Sequence, residues 1–224
     1  MNKFNVVSKI PKCEINEIDD YVKLTFNNLR TEKVYGFMFH SFETFKRNEY
    51  VLEKLREHKN NGSIKKIGFS LYCTGDIEYL FEKDIKFDLI QVPFSIFDRR
   101  FEKYFEELKK RNVEIHTRSV YLQGLVFMNV NEISKYFEGF MGKLIELDEI
   151  SKSLQLTKQE IALNFCLTNE KINKVIVGFD SEKQIRETVE SVRKFDVVKQ
   201  NYDKFEVLRE DDEKYLLPFN WRLN

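Results

Sequence analysis

The sequence predicts an α/β protein with a parallel sheet. Short apolar runs of strand length alternate with segments of helical spacing, and such alternation implies right-handed crossovers between parallel strands. Several of the runs, such as FDLIQVP, are apolar at successive positions, as expected of strands buried on both faces. No linker-like, low-complexity or glycine-rich segment divides the 224 residues, which read as one domain, 1–224. Six strand–helix units can be counted, with strands centred on Val7, Phe37, Gly68, Ile90, Ile115 and Val175. That count fits an open doubly wound sheet or part of a barrel, and periodicity does not choose between them.

The first run, KFNVVSKI from Lys3 to Ile10, begins almost at Met1, so the chain reads as starting inside its fold with no leader. Ile15, Ile18, Tyr21, Val22, Leu24, Phe26 and Leu29 recur near helical spacing behind a group of acidic residues, where the helix dipole favours them. KVYGFMFHSF, Lys33 to Phe42, is the second strand, and His40 stands at its C-terminal end. That edge of a parallel sheet is where ligands gather, so His40 is either a site residue or a satisfied strand-end histidine. A charged amphipathic helix follows from Glu49 to His58, stopped by Asn60-Asn61-Gly62, and then the strand IKKIGFS to Ser70.

Asp76 to Asp84 has helical spacing, FDLIQVP is a strand, and Arg99 to Arg111 reads as a long solvated helix opened by an arginine pair that makes surface or loop contacts or else organises the ligand-side rim. VEIHTR, Val113 to Arg118, is the fifth strand. A longer excursion from Tyr121 to Gln155 holds helices near Asn131–Phe137 and Lys143–Leu154. Thr157 and Glu160 form a capping box for the next helix. INKVIV, Ile172 to Val177, is the last strand, followed by Gly178, a helix from Ser181 to about Arg193, a polar helix, and a tail in which Leu217, Phe219 and Trp221 dock on the body. His58 and His116 read as structural, and Tyr72 and Tyr121, just past strand ends, read as packing residues, with a phenol supplied to the site as the alternative.

Composition excludes several function classes. Lys plus Arg equals Asp plus Glu at 37 each, so no global field draws the chain to nucleic acid or to an anionic membrane. Three cysteines in no CxxC arrangement argue against a disulfide framework or a structural zinc site and read as thiols of a reducing, cytoplasmic compartment. No run approaches the ~18 apolar residues of a membrane span. GxGxxG and the P-loop motif are both missing.

IGFS (Ile67–Ser70), IQVPFSIFDRR (Ile90–Arg100), IHTRSVYLQGLV (Ile115–Val126) and VIVGFDSEKQIRET (Val175–Thr188) together, in order and separation, resemble the NAD(P)H-dependent aldo-keto reductases. The resemblance implies an α/β fold of the (β/α)8 TIM-barrel type, here incomplete, with six βα units and without the first two. It implies hydride transfer between NADP(H) or NAD(H) and a small-molecule carbonyl or alcohol, without metal. Lys9 falls on the family's active-site lysine and His40 on the histidine that orients the carbonyl. Ser70 and Gln91 match side chains that hold the nicotinamide carboxamide, and Arg118 a residue against the nicotinamide ring. Ser119, Gln123 and Gly124 fall in the loop along the pyrophosphate, and Gly178, Ser181, Gln184 and Glu187 at the adenosine end. RSVYLQG is similar to family members found with surface-sugar biosynthesis, which points to sugar-like carbonyls.

Departures from the family pattern carry expectations of their own. Leu71 replaces an asparagine of the carboxamide clamp, Thr188 replaces one at the adenine end, and Lys183 and Arg186 are the nearby cations for a 2′-phosphate. Only residues 1–8 precede Lys9, and neither the family's catalytic aspartate nor its general-acid tyrosine is among them. Carbonyl reduction needs a proton donor for the developing oxyanion, so activity of this chain is expected to be impaired. A non-catalytic binding or assembly protein, or a gene fragment, is the second reading. Unpaired edge strands at FNVVS and KVIVG would favour self-association.

Overall fold

The computed structural model describes residues Phe4–Trp221. In chain order the strands are β1 (Val7–Ile10), β2 (Val34–Phe39), β3 (Ile64–Ser70), β4 (Leu89–Pro93), β5 (Glu114–Arg118) and β6 (Lys174–Val175). The helices are α1 (Ile18–Leu29), α2 (Phe42–Arg47), α3 (Val51–Asn60), α4 (Thr74–Glu82), α5 (Phe105–Lys110), α6 (Met141–Leu154), α7 (Lys158–Thr168), α8 (Glu182–Ser191), α9 (Phe195–Gln200) and α10 (Glu213–Leu216). The strands form one six-stranded sheet in the order β1-β2-β3-β4-β5-β6. A doubly wound sheet reverses its strand order at a switch point. This order has no reversal, which settles the alternative left open by periodicity.

Two compact units are distinguished in the chain, one comprising residues up to Val92 with Glu107–Ile115, the other Pro93–Glu106 with the residues from His116 onward. In the first unit β1, β2, β3 and β4 pair in parallel, with Lys9 opposite Met38, Met38 opposite Gly68, Gly68 opposite Leu89 and Ser70 opposite Gln91. Lys9 Nζ nevertheless donates to Gln91 Oε1 at 2.5 Å. In a flat sheet β1 and β4 would lie three spacings of roughly 4.8 Å apart, about 14 Å in all. That exceeds what one lysine and one glutamine can bridge, so these four strands curl toward their inner face as barrel strands do.

Close packing permits the curl. A Cβ on Gly68 would overlap the carbonyl oxygen of Leu89, so only glycine lets β3 and β4 meet there. Outside the sheet Phe39, Phe45 and Phe69 form an aromatic core, with the Phe45 and Phe69 rings 5.0 Å apart and nearly edge-to-face. At the opposite strand ends Lys59 donates to both oxygens of Asp88, which also accepts from Ile67 N. Tyr35 Oη and Lys66 Nζ both donate to the buried Glu114. His58 bridges Asp19 and Ser63, in keeping with its structural reading.

The second unit is more helical. Its β6 is shorter than the INKVIV run suggests, with Lys174 and Val175 opposite His116 and Thr117 of β5. The expected helix from Arg99 begins only with a 3-10 turn at Glu102–Tyr104, because Ser95 Oγ accepts from the Phe97 and Asp98 amides and holds a turn first. Arg99 is not a surface residue. It is 3 % exposed, lies 4.5 Å from the centroid of the Phe165 ring, and donates to the carbonyls of Ile96 and Phe205 and to Glu206. A planar guanidinium suits such a place, since it stacks on an aromatic face while its edge meets oxygens. Arg100 is paired with the buried Asp98 and with Glu213.

The capping box forms as expected, Thr157 Oγ1 accepting from Glu160 N and Glu160 Oε2 from Thr157 N. The helix expected near Asn131 lies instead at Lys135–Phe140 as a 3-10 helix. In the tail Leu217 is buried and Trp221 Nε1 donates to Tyr215 O, while Phe219 is 64 % exposed. The expected first strand from Lys3 is reduced to β1, with Lys3 outside the described residues.

Candidate functional site

In the first unit Lys9, His40, Ser70 and Gln91 come from four successive strands or their ends. Ser70 closes β3 and Gln91 faces it in register on β4, so their side chains start from neighbouring positions at the C-terminal edge. Ser70 is 1 % exposed and its Oγ has no hydrogen-bond partner. A buried hydroxyl without a partner is costly and marks a place where a ligand would complete the hydrogen bonding. Gln91 is buried as well, and it holds the ammonium of Lys9. His40 follows β2, its amide donating to Ile10 O at 2.9 Å, with its ring exposed and edge-on to Tyr72 at 6.5 Å. Leu71 is buried and contributes no polar group, while its amide donates to Gln91 O.

In the second unit the residues after β5 adopt an unusual backbone. Ser119, Leu122, Gln123 and Gly124 all have positive φ, at 63°, 43°, 52° and 87°. For side-chain-bearing residues such angles cost on the order of 1 kcal/mol or more each, and they concentrate at ligand-binding turns. Arg118 Nη1 donates to Ser119 Oγ at 3.3 Å.

Nearby in this unit a cleft of about 340 Å³ is lined by Tyr121, Phe127, Gln159, Val177, Gly178, Phe179, Asp180, Gln184, Glu187 and Thr188. Gly178, Gln184 and Glu187 are therefore brought together. Ser181 instead caps α8, its Oγ accepting from Gln184 N, while Gln184 Oε1 accepts from Asp180 N at 2.7 Å. Tyr121 packs on Phe127 at 5.0 Å, and burial raises its phenol above the ordinary value. Gln159 donates to Thr188 Oγ1 at 3.3 Å. Phe127 and Gln159 were not legible as site residues, because they reach the cleft from a 3-10 turn after β5 and from α7, outside the quoted motifs, while Asp180 lies within VIVGFDSEKQIRET without an assigned role.

Lys183 and Arg186, the expected cations, do not line this cleft. They are strongly exposed and turn to Glu187 and Glu182 on their own helix. Among the described residues no group of three His, Cys, Asp or Glu side chains is placed to hold a metal ion, and no helix is long and apolar enough to cross a membrane.

Compared with known proteins, residues 2–210 match the model of the aldo/keto reductase family. The chain belongs to that family. It is 24 % identical over 186 residues to the uncharacterized oxidoreductase YqkF of Bacillus subtilis, covering 78 % of this chain and 60 % of that relative. The chain thus spans less than two thirds of the relative's length. Among solved structures it resembles the apo form of aldo-keto reductase AKR11C1 from Bacillus halodurans, with a TM-score of 0.76 and 22 % identity, over 95 % of this chain and 75 % of that one. The holo form of the same protein gives a TM-score of 0.72 at 20 % identity, over 93 % and 74 %. The likeness establishes the fold: six parallel strands alternating with helices, as in the aldo-keto reductase barrel.

Proposed function

We propose that this aldo-keto reductase chain binds a nicotinamide dinucleotide and serves in the reduction of small, sugar-like carbonyl compounds. The observation that carries the reading is the buried, unpartnered Ser70 Oγ in register with Gln91, a hydrogen-bonding pair suited to a carboxamide. When bound, the nicotinamide supplies the hydride. In the first unit Ser70 and Gln91 would hold its carboxamide and His40 would orient the carbonyl oxygen. Ser119, Gln123 and Gly124 would follow the pyrophosphate, and Gly178, Ser181, Gln184 and Glu187 would shape the adenosine end.

Charge favours NAD(H) over NADP(H). The cleft is lined by Asp180 and Glu187 and by no lysine or arginine. A ribose hydroxyl can donate to a carboxylate, whereas a 2′-phosphate would meet the like charge of Asp180 and that of Glu187, which the exposed Lys183 only partly offsets. Binding without turnover, as in an assembly protein, is the second reading, and carbonyl-dependent NADH oxidation compared with the ~1 per second typical of enzymes distinguishes the two. Titration with NADH and NADPH, followed by protein fluorescence and calorimetry, tests the reading. Saturable binding with NADH tighter is expected, and no saturable signal with either would overturn it.

The reading extends to partners and place. Among the described residues β6 pairs only with β5, through two residues, and α8 with the turn after it exposes Ile185, Val189 and Val192 at helical spacing. A second copy of the chain would cover this apolar face in a cytoplasmic setting. Light scattering is expected to give a mass above the 27.0 kDa of one chain.

A further inference from the structure

Lys9 and Gln91 are joined by a bond whose chemistry is one-sided. An ammonium has donors and no acceptor, so it can meet a glutamine amide only at the oxygen. The 2.5 Å contact between Lys9 Nζ and Gln91 Oε1 therefore fixes which way round that amide sits and turns its NH2 away from the lysine. Gln91 is 6 % exposed and pinned in β4 opposite Ser70, so the amide orientation is the main freedom left to it. Ser70 Oγ beside it is buried and unpartnered.

We infer that Lys9 is a positioning residue for the cofactor, acting through Gln91 and resting on the nucleotide-binding reading above. With its oxygen held by Lys9, Gln91 presents its NH2 as a donor to the carboxamide oxygen of the nicotinamide, and the Ser70 hydroxyl offers a second polar contact. Without Lys9 the amide is free to flip, and half of its orientations set an acceptor against an acceptor. A lysine in this place thus contributes to holding the dinucleotide independently of any tuning of an acid.

The test compares the dinucleotide with its adenosine half on the full 224-residue chain. Calorimetry of NADH and of AMP is run on wild type, Lys9→Met, Lys9→Arg, Gln91→Leu and the double variant Lys9→Met/Gln91→Leu. Lys9→Met is expected to weaken NADH about 5-fold, the size of one lost neutral hydrogen bond, and to leave AMP unchanged. Lys9→Arg, which still donates, keeps most of the NADH affinity, and the double variant is no weaker than Gln91→Leu alone. In the free protein the Lys9 ammonium protons exchange slowly by nitrogen-edited NMR, and Gln91→Leu removes that protection. NADH binding by Lys9→Met at wild-type strength, or fully additive losses in the double variant, overturns the inference while leaving nucleotide binding intact. Wild type that binds neither NADH nor AMP overturns the nucleotide reading itself, and the inference with it.

Discussion

Ser70 and Gln91 owe their positions to strand register, whereas Ser119, Gln123 and Gly124 owe theirs to torsion angles. In the first case the partners are fixed by the same backbone hydrogen bonds that build the sheet, and a shift of one residue would turn every side chain to the other face. In the second, a short loop accepts left-handed conformations that side-chain-bearing residues resist. Moving the strand-end pair means moving the sheet, while the loop can be altered without dismantling its unit. The two units thus place their candidate residues by different means and are open to different kinds of damage.

The sharpest way to break the contrast is Gly68→Ala. The new Cβ would overlap the Leu89 carbonyl, and backbone does not yield as a side chain end does. A loss at or above the roughly 3 kcal/mol upper end of ordinary overpacking is expected in urea unfolding, together with loss of the Ser70–Gln91 alignment. Gly75→Ala in α4, where a Cβ meets nothing within 4 Å, serves as the control and should be neutral or stabilising by up to about 1 kcal/mol. Equal effects of the two substitutions would contradict the packing argument.

Gly124→Ala probes the loop. At φ 87° an alanine is strained, and a cost of about 1 kcal/mol is expected, with weaker dinucleotide binding and little change in the first unit's melting. Retained affinity would dissociate the left-handed turn from the site.

The smallest effect concerns pH. Burial and the hydrogen bond to Glu114 raise the Tyr35 phenol above its ordinary 10.0, so the folded state favours the neutral form. Burial alone would lower the Lys66 ammonium, but its bonds to Glu114 and Tyr35 more than offset this and raise it. Both groups hold their protons more tightly when folded. Their contribution is complete below the unfolded values and is lost as pH rises through the folded ones. The stability difference between wild type and Tyr35→Phe should therefore narrow as pH climbs past about 10 in denaturant melts. A difference that does not change with pH would remove the phenol from this account.

Much of the fold could be read from local pattern. IKKIGFS is β3 residue for residue, and the Thr157–Glu160 capping box opens α7 where expected, because apolar period and capping chemistry act within a few residues. Arg99 could not be read that way. Its burial depends on the Phe165 ring and on the carbonyl of Phe205, more than sixty residues distant in sequence, and nothing beside it in the chain announces either. Among the site residues, the strand-end placement of His40 and Ser70 followed from period, whereas Lys9 and Gln91 were named through the family resemblance. The Lys9–Gln91 bond followed from neither, since it spans two intervening strands and exists only because the sheet curls.

Spacing and residue type thus carried the alternation of parallel strands and helices, while the residues of the candidate site were named through the resemblance of the strand-end motifs to the aldo-keto reductases. Only packing decided that the strands run in unbroken order, that Asp180 and Glu187 line the second unit's cleft with no lysine or arginine among its lining, and that Lys9 holds Gln91. Those outcomes depend on distances between segments far apart in the chain, and such distances are set by how the elements pack.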